Sequence, residues 1–242
     1  MSSAWRLIDD LATTIDGPGH MAADIALLED VGRGAPAALR LYRWTRPALS
    51  LGHFQSASDV DHDACARLGV EVVRRPTGGK ALLHGGDLTY AVVFPRPDGA
   101  DGRVDAIHDV VAAALIAGLR RLGVAARVAR HGGRGGPVCF AGQQGADLRV
   151  GTQKVCGSAQ VRRAGAVLQH GSLLLERLDF DEIDLLPGGS STHAELRAVT
   201  VTLGELGVDA DPAVVAQALI DGFAATFDVK FTSRLGAASS VG

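Results

Sequence analysis

Cysteine is scarce in this chain: Cys65, Cys139 and Cys156 are the three among 242 residues. So few thiols, irregularly spaced and without a C-x-x-C pair, exclude a disulfide framework, and all three are expected to be reduced. Long apolar runs are missing as well. None reaches the length needed to cross a bilayer, and the N-terminus, MSSAWRLIDDLATT, has no basic segment leading into an apolar one. A cytoplasmic protein with no membrane attachment is the expectation. The eight histidines stand apart, with no H-x-x-x-H pattern and no Cys/His cluster, so no metal site is expected. Net charge is small, −3, and no basic block dominates, which argues against a nucleic-acid binder working by phosphate neutralisation. Arg120, Arg121, Arg130, Arg134, Arg162 and Arg163 could still align against an acidic partner, although solvated faces are the commoner use of such arginines.

Hydrophobic residues make up 47% of the sequence, enough for a full core, and neither an internal repeat nor a long linker divides it. The simplest parse is one domain, residues 1–242, with HGGRGG and LPGGSST as loops inside it. GHMAADIALLEDVG places Met21, Ile25, Leu28 and Val31 at helical spacing and stops at a glycine. DAIHDVVAAALIAGLRRLG puts Ile107, Val111, Leu115, Leu119 and Leu122 on one helical face, with Asp105 as the expected N-cap and Gly123 past the end. Thr202 and Glu205 form a capping-box pattern, and Asp211 with Pro212 opens a helix carrying Val215, Leu219 and Phe223. Short strands fill the remainder: ALRLYRW, PALSLG, VEVVRR and DLTYAVVFP early, then VAARVAR, GADLRV, GSAQVRR and AVLQHGSLLLE as an antiparallel meander. The pattern predicts an α+β fold of sheet packed with helices.

Three stretches have residues suited to chemistry. In RRPTGGKALLHGGDLTY, two glycines permit close backbone approach to a ligand, while Arg74, Arg75 and Lys80 put cations at the rim; a plain β-hairpin with solubilising arginines explains the local pattern at least as well. The stretch is not a P-loop, since GxxxxGK[ST] is missing. In VCFAGQQGADLRVGTQKVCGSAQ, Lys154 either reaches a desolvated pocket where its amine polarises an acyl carbonyl, or is an exposed hairpin lysine. Cys139 stands at a loop-to-strand junction, and strand alternation puts Lys154 and Cys156 on one face, so local spacing leaves both thiols open. Cys65, in a helix, reads as a packing residue. In LQHGSLLLE, Gly171 suggests a bulge and His170 either lines a site or is a satisfied core histidine. The order His84, Cys139, His170 invites a Cys/His nucleophile reading, but spacing nominates no acidic residue to orient either imidazole.

Taken in this order, these segments resemble the lipoate-protein ligase A and octanoyltransferase family, most closely the octanoyltransferases acting on glycine cleavage protein H. The likeness covers nearly the whole chain. WRLID and MAADIALLE look like the family's N-terminal helix entry, LYRWTRPALSLGHFQ its first strand pair, VVRRPTGGKALLHGGDLTYAVV its glycine-rich motif and KVCGSAQVRRAGAVLQHGSLLLE its lysine motif. The resemblance implies the fold shared with biotin protein ligases, a mixed, largely antiparallel sheet backed by helices, with the acyl group under the glycine-rich loop. Lys154 maps to the lysine that binds the acyl carbonyl. Thr77, Gly78, Gly79 and His84 map to the cradling loop, and Ser158, Ala159, Gln169 and His170, followed by Gly171, to the opposite wall. Lys80 stands where ligases often have glycine and the similar octanoyltransferases arginine, which favours transfer over ligation. Cys139, in PVCF, matches the transferases' nucleophile context; Cys156 stands where the family commonly has a small or aliphatic residue.

The activity so implied moves octanoyl from acyl carrier protein to a lysine of a lipoyl-domain protein through a cysteine thioester, with no cofactor. ATP and Mg²⁺ enter only if the chain is instead a lipoate-protein ligase, and such ligases generally carry a C-terminal accessory domain that this chain is too short to hold. An amidotransferase between lipoyl domains and a non-catalytic binding relative are the further alternatives.

Overall fold

A computed structural model describes residues 3–97, 103–129, 147–186 and 192–235. Among these residues, eleven strands form two sheets. The larger contains β1 (Ser3–Asp10), β2 (Ala38–Tyr42), β6 (Asp87–Pro95), β7 (Arg127–Ala129), β8 (Asp147–Val150), β9 (Gln153–Arg163), β10 (Ala166–Leu174) and β11 (Val229–Leu235), in the order β11-β1-β2-β6-β10-β9-β8-β7. The smaller has β3 (Ala48–Leu51) between β4 (Glu71–Arg74) and β5 (Leu82–His84). Among the described strand pairs, the parallel ones are β1 with β2 and β11, and β3 with β4; one isolated parallel bridge joins Lys154 to Thr200. The sheet is thus mixed and largely antiparallel, and β8, β9 and β10 form the expected meander.

Alternation along β6 explains how one strand serves two layers. Leu88, Tyr90, Val92 and Phe94 pack with α3 (Val104–Arg121) and α5 (Pro212–Phe227), while Ala91 and Val93 pack with Met21, Leu28 and Val31 of α1 (Gly17–Gly32). A third cluster joins Leu49 and Leu51 of β3 to Ala64 and Cys65 of α2 (His62–Leu68) and to Leu196 of α4 (His193–Val199). Asp16, Asp61 and Asp211 cap α1, α2 and α5 through their carboxylates, each accepting a backbone N–H of the first turn.

Three expectations shift. Helix α3 starts at Val104 with Arg103 at its cap and no side-chain cap bond, so Asp105 lies in the first turn, where its charge favours the helix N-terminus. Thr202 and Glu205 do exchange reciprocal bonds, but these close a turn at 203–207 and no helix follows. WRLID belongs to β1, paired in parallel with β11, rather than to a helix entry. Among the described helices, none is long and apolar enough to cross a membrane.

Helices α3 and α5 meet at Gly118 and Gly222. A Cβ on Gly222 would collide with the Ala114 carbonyl and sit 2.5 Å from the Gly118 nitrogen, both backbone atoms that cannot swing aside. Alanine at 222 gains ~1 kcal/mol of helix propensity, but overpacking of this kind costs about 1–3 kcal/mol. Gly222→Ala is therefore expected to lower stability, and thermal unfolding checks it; an unchanged or raised midpoint would mean that the helices separate easily.

Candidate active site

Helix α1, the β4–β5 loop and strand β9 enclose a cleft of about 950 Å³. Its wall combines apolar groups, Met21, Ile25, Leu28, Trp44, Leu82 and Val161, with Gly78 and Gly79 of the loop and Gly157, Ser158, Ala159 and Gly171 of the sheet. Such a lining suits a long apolar ligand with one polar end.

Two buried hydroxyl, imidazole and carboxylate trios support the wall, and Ser50, His84 and His170 of these trios border the cleft themselves. In the first, Thr77 Oγ1 lies 2.7 Å from His170 Nε2, and His170 Nδ1 lies 3.0 Å from Asp24 Oδ2. In the second, Ser50 Oγ lies 2.9 Å from His84 Nε2, and His84 Nδ1 lies 2.9 Å from Asp87 Oδ2. A carboxylate opposite Nδ1 requires the proton there, which leaves Nε2 facing the hydroxyl in each case. The acidic partners that spacing could not nominate are therefore Asp24 and Asp87.

Both carboxylates are supported from several sides. Asp24 also accepts from Arg40, at 2.8 Å, and from the Tyr42 hydroxyl, while Arg40 reaches Asp10 at 2.6 Å. Burial would raise the Asp24 carboxyl, but the hydrogen bond and charge of His170, then Arg40, outweigh it and hold the group below its ordinary value of 3.8. Asp87 takes further bonds from Gly85 N, Thr89 Oγ1 and Ser172 Oγ. Burial raises it too, and His84 foremost, with Ser172 and Gly85, brings it below 3.8. The Trp44 ring stacks on His84 at 4.2 Å and donates its indole N–H to Thr89.

Lys154 is wholly buried on β9, which excludes the exposed hairpin reading. Its ammonium lies 3.0 Å from Asp147 Oδ2, and Asp147 borders the cleft. The Lys154 carbonyl accepts from Val201 N, and the Gln153 amide holds the carbonyls of Arg197 and Thr200, so the chain after α4 fixes this part of β9. Cys156 sits in the main core, its thiol pushed up to about 12 by burial first and by Asp147 next, against a smaller opposing effect of Lys154. Cys65 is buried in the α2 cluster and raised by burial as well. Neither thiol ionises near neutral pH. Cys139, Arg130 and Arg134 lie outside the described residues.

Other expected residues have different tasks. Arg75 is buried and donates to the carbonyls of Ser50, Gly78 and Lys80, and Arg74 to those of Gly52, His53 and Gln55. Both arginines border the cleft, but these bonds shape its loops; the expected rim cations are backbone clamps. Gln169 is corrected: it is buried on the face of β10 opposite His170 and donates to the Tyr90 hydroxyl, which bonds Ser158 Oγ at 2.7 Å. Thr77 reaches the site through His170, Lys80 through its carbonyl held by Arg75, and Ala159 and Gly171 form wall. Gly171 has a clear reason: a Cβ there would strike the Tyr90 ring and the Gly157 carbonyl. Missed entirely were Asp24, Arg40, Asp87 and Asp147. Asp24 had a usable signal, since Met21, Asp24, Leu28 and Val31 follow one helical stripe.

A two-sided mixed sheet, an apolar cleft under a glycine loop and a buried lysine paired with the cleft's Asp147 accord with an acyl-transferring enzyme, the class to which the chain's relatives assign it. More narrowly, residues 16–224 match the lipoyl protein ligase A/B catalytic domain, and the chain belongs to that family. It is 42% identical to the octanoyltransferase LipM of Carboxydothermus hydrogenoformans over 74% of this chain and 67% of that one. Identity to the octanoyltransferase LipM of Symbiobacterium thermophilum is 39%, over 96% and 89% of the two chains. Among solved structures, protein Ta0514 of T. acidophilum with bound lipoic acid superposes with a TM-score of 0.79 at 28% identity, covering 98% of this chain and 91% of that one.

Two outcomes follow from these environments. Cys156→Ala is expected to keep acyl-transfer activity within a few-fold and to lower stability by ~1 kcal/mol; a loss of activity comparable to that from removing Lys154 would make Cys156 part of the chemistry. Because Asp24 and Asp87 lie below 3.8 when folded, the stability they contribute is present above about pH 4 and is lost as pH falls through the lowered folded values. Unfolding midpoints from pH 6 to 2 should fall more steeply in the wild type than in Asp87→Asn.

Proposed function

We propose that the protein transfers an octanoyl group from acyl carrier protein to a lysine of a lipoyl-domain protein such as glycine cleavage protein H, through a thioester on Cys139. The observation that carries this reading is the buried Lys154 paired with Asp147, which borders an apolar cleft, in a chain whose curated relatives include octanoyltransferases. At ~0.8 kcal/mol per buried methylene, the octanoyl tail gains roughly 5 kcal/mol from the wall of Met21, Ile25, Leu28 and Leu82. Gly78 and Gly79 let the backbone approach the acyl group, and Arg75 holds that loop in shape.

The Cys139 thiolate attacks the incoming thioester, the carrier thiolate leaves, and the acceptor amine then attacks the acyl-enzyme. Lys154 meets the carbonyl oxygen as it becomes negative, a service one placed donor supplies at ~3 kcal/mol. The amide formed is more stable than the thioester consumed, so the sequence needs no ATP. A ligase working through an acyl-adenylate is the second reading, favoured by the likeness to a protein holding lipoic acid.

Incubation with octanoyl-acyl carrier protein, followed by intact mass, separates the two. A hydroxylamine-labile octanoyl adduct should form without ATP, vanish in Cys139→Ala and form about 10²-fold more slowly in Lys154→Met. An adduct or product that appears only with ATP would overturn the transferase reading.

A further inference from the structure

A lysine side chain advances about 6 Å from its Cα when extended. For its amine to reach an acyl group inside the cleft, the body of an acceptor protein must lie against the rim, a demand that a thioester carried on a long prosthetic arm does not make. The rim has the chemistry for such a contact. Phe54 borders the cleft and is 91% exposed, whereas the other exposed large apolar side chains among the described residues, Leu68, Val104, Leu206 and Val214, lie between 36% and 47%. Val104 borders the cleft as well. A lone exposed apolar side chain needs no explanation in general, but this one is held in place from beneath. Arg74 Nη1 donates to the carbonyls of Gly52, His53 and Gln55 at 2.8, 3.1 and 2.7 Å, and the His53 N–H donates to the Thr77 carbonyl at 2.8 Å. Gly52 lies so close to the glycine loop that a Cβ would strike the Gly79 carbonyl, and the His53 ring meets the Phe54 ring edge-on at 4.7 Å.

We propose that Phe54 is the apolar anchor on which the acceptor lipoyl-domain protein docks, an assignment that rests on the lipoyl-domain acceptor of the reading above. An aromatic ring on a backbone already fixed loses little freedom on binding, which is the property of the few interface residues that carry most of an affinity. The charge around it selects the partner. Arg74, Arg162 and Arg163 border the same cleft. The bonds of Arg74 and Arg162 go to neutral oxygens, backbone carbonyls for the first and Gln160 Oε1 for the second, so neither charge is compensated by them. Arg163 has Glu29 at 3.7 Å. No exposed carboxylate borders the cleft among the described residues. The complementary surface is an acidic one with an apolar recess for the ring.

The test reads binding apart from turnover. Lipoyl-domain protein without its acyl group is titrated into the wild-type enzyme and its variants, and steady-state transfer is measured with octanoyl-acyl carrier protein and lipoyl-domain protein varied in turn. Phe54→Ser should raise the Kd for the lipoyl-domain protein at least about tenfold, and its KM in step, while the KM for octanoyl-acyl carrier protein moves by less than about threefold. Phe54→Tyr keeps the ring and should bind within about threefold of wild type. Wild-type affinity should also fall as salt is added; an affinity indifferent to salt overturns the acidic partner surface. Unchanged binding in Phe54→Ser overturns the anchor. A fall in kcat, or an equal rise in both KM values, overturns it too, because Phe54 would then cover the acyl group, and a rise confined to octanoyl-acyl carrier protein would make Phe54 a contact of the donor. A wild type that binds the lipoyl-domain protein but transfers no octanoyl defeats the acyl-transfer reading instead, and the Kd of Phe54→Ser still decides the docking assignment.

Discussion

The Asp24 carboxylate joins the layers of the molecule. It is buried where α1, β2 and β10 meet, receiving Arg40 and Tyr42 from β2 and His170 from β10. Removing one partner from such a group leaves an uncompensated buried charge, at a cost of about 3–5 kcal/mol. This makes the junction all-or-none. Its reach extends to the ligand side, because His170, once oriented by Asp24, holds the Thr77 hydroxyl at the start of the glycine loop. One carboxylate on a helix thereby sets the height of a loop whose glycines have no stiffness of their own.

Ser50, His84 and Asp87 repeat the arrangement on the small sheet. There the anchor strand is β3, and Arg75 ties the Ser50 carbonyl to the carbonyls of Gly78 and Lys80. Both ends of the loop are therefore pinned by a hydroxyl and an imidazole, each fixed in one tautomer. This has a consequence for an acyl ligand. The hydroxyls and imidazoles of the two trios spend their hydrogen bonds on one another and on their carboxylates, so these groups can border an apolar tail at little cost.

How far the amino-acid sequence discloses this depends on the kind of signal. Periodicity marks α1, α3 and α5 and the meander β8 to β10, because each buries a regular stripe. It fails for β11, whose pattern V-K-F-T-S is short and mixed, and which is a strand through parallel pairing with β1 at the other end of the chain. Glycine spacing locates the loop at 78–79 but cannot say that Arg74 and Arg75 turn inward to clamp backbone. Gln169 and His170 are neighbours in the motif, yet alternation sends them to opposite faces. The residues that escaped, Asp24, Arg40, Asp87 and Asp147, share a cause: charged side chains read as solvated unless their partners are known, and distance along the chain does not name those partners, since His84 is three residues from Asp87 while His170 is 146 from Asp24.

The three carboxylates near the cleft divide along one physical line. Asp24 and Asp87 each collect several donors and are held below their ordinary value, which makes them fixed charges and poor proton acceptors. They orient; they do not exchange protons. Asp147 faces the cleft beside the buried Lys154 ammonium. The difference is one of access: two carboxylates are closed off by their imidazoles, and one stands at the edge of an apolar cleft.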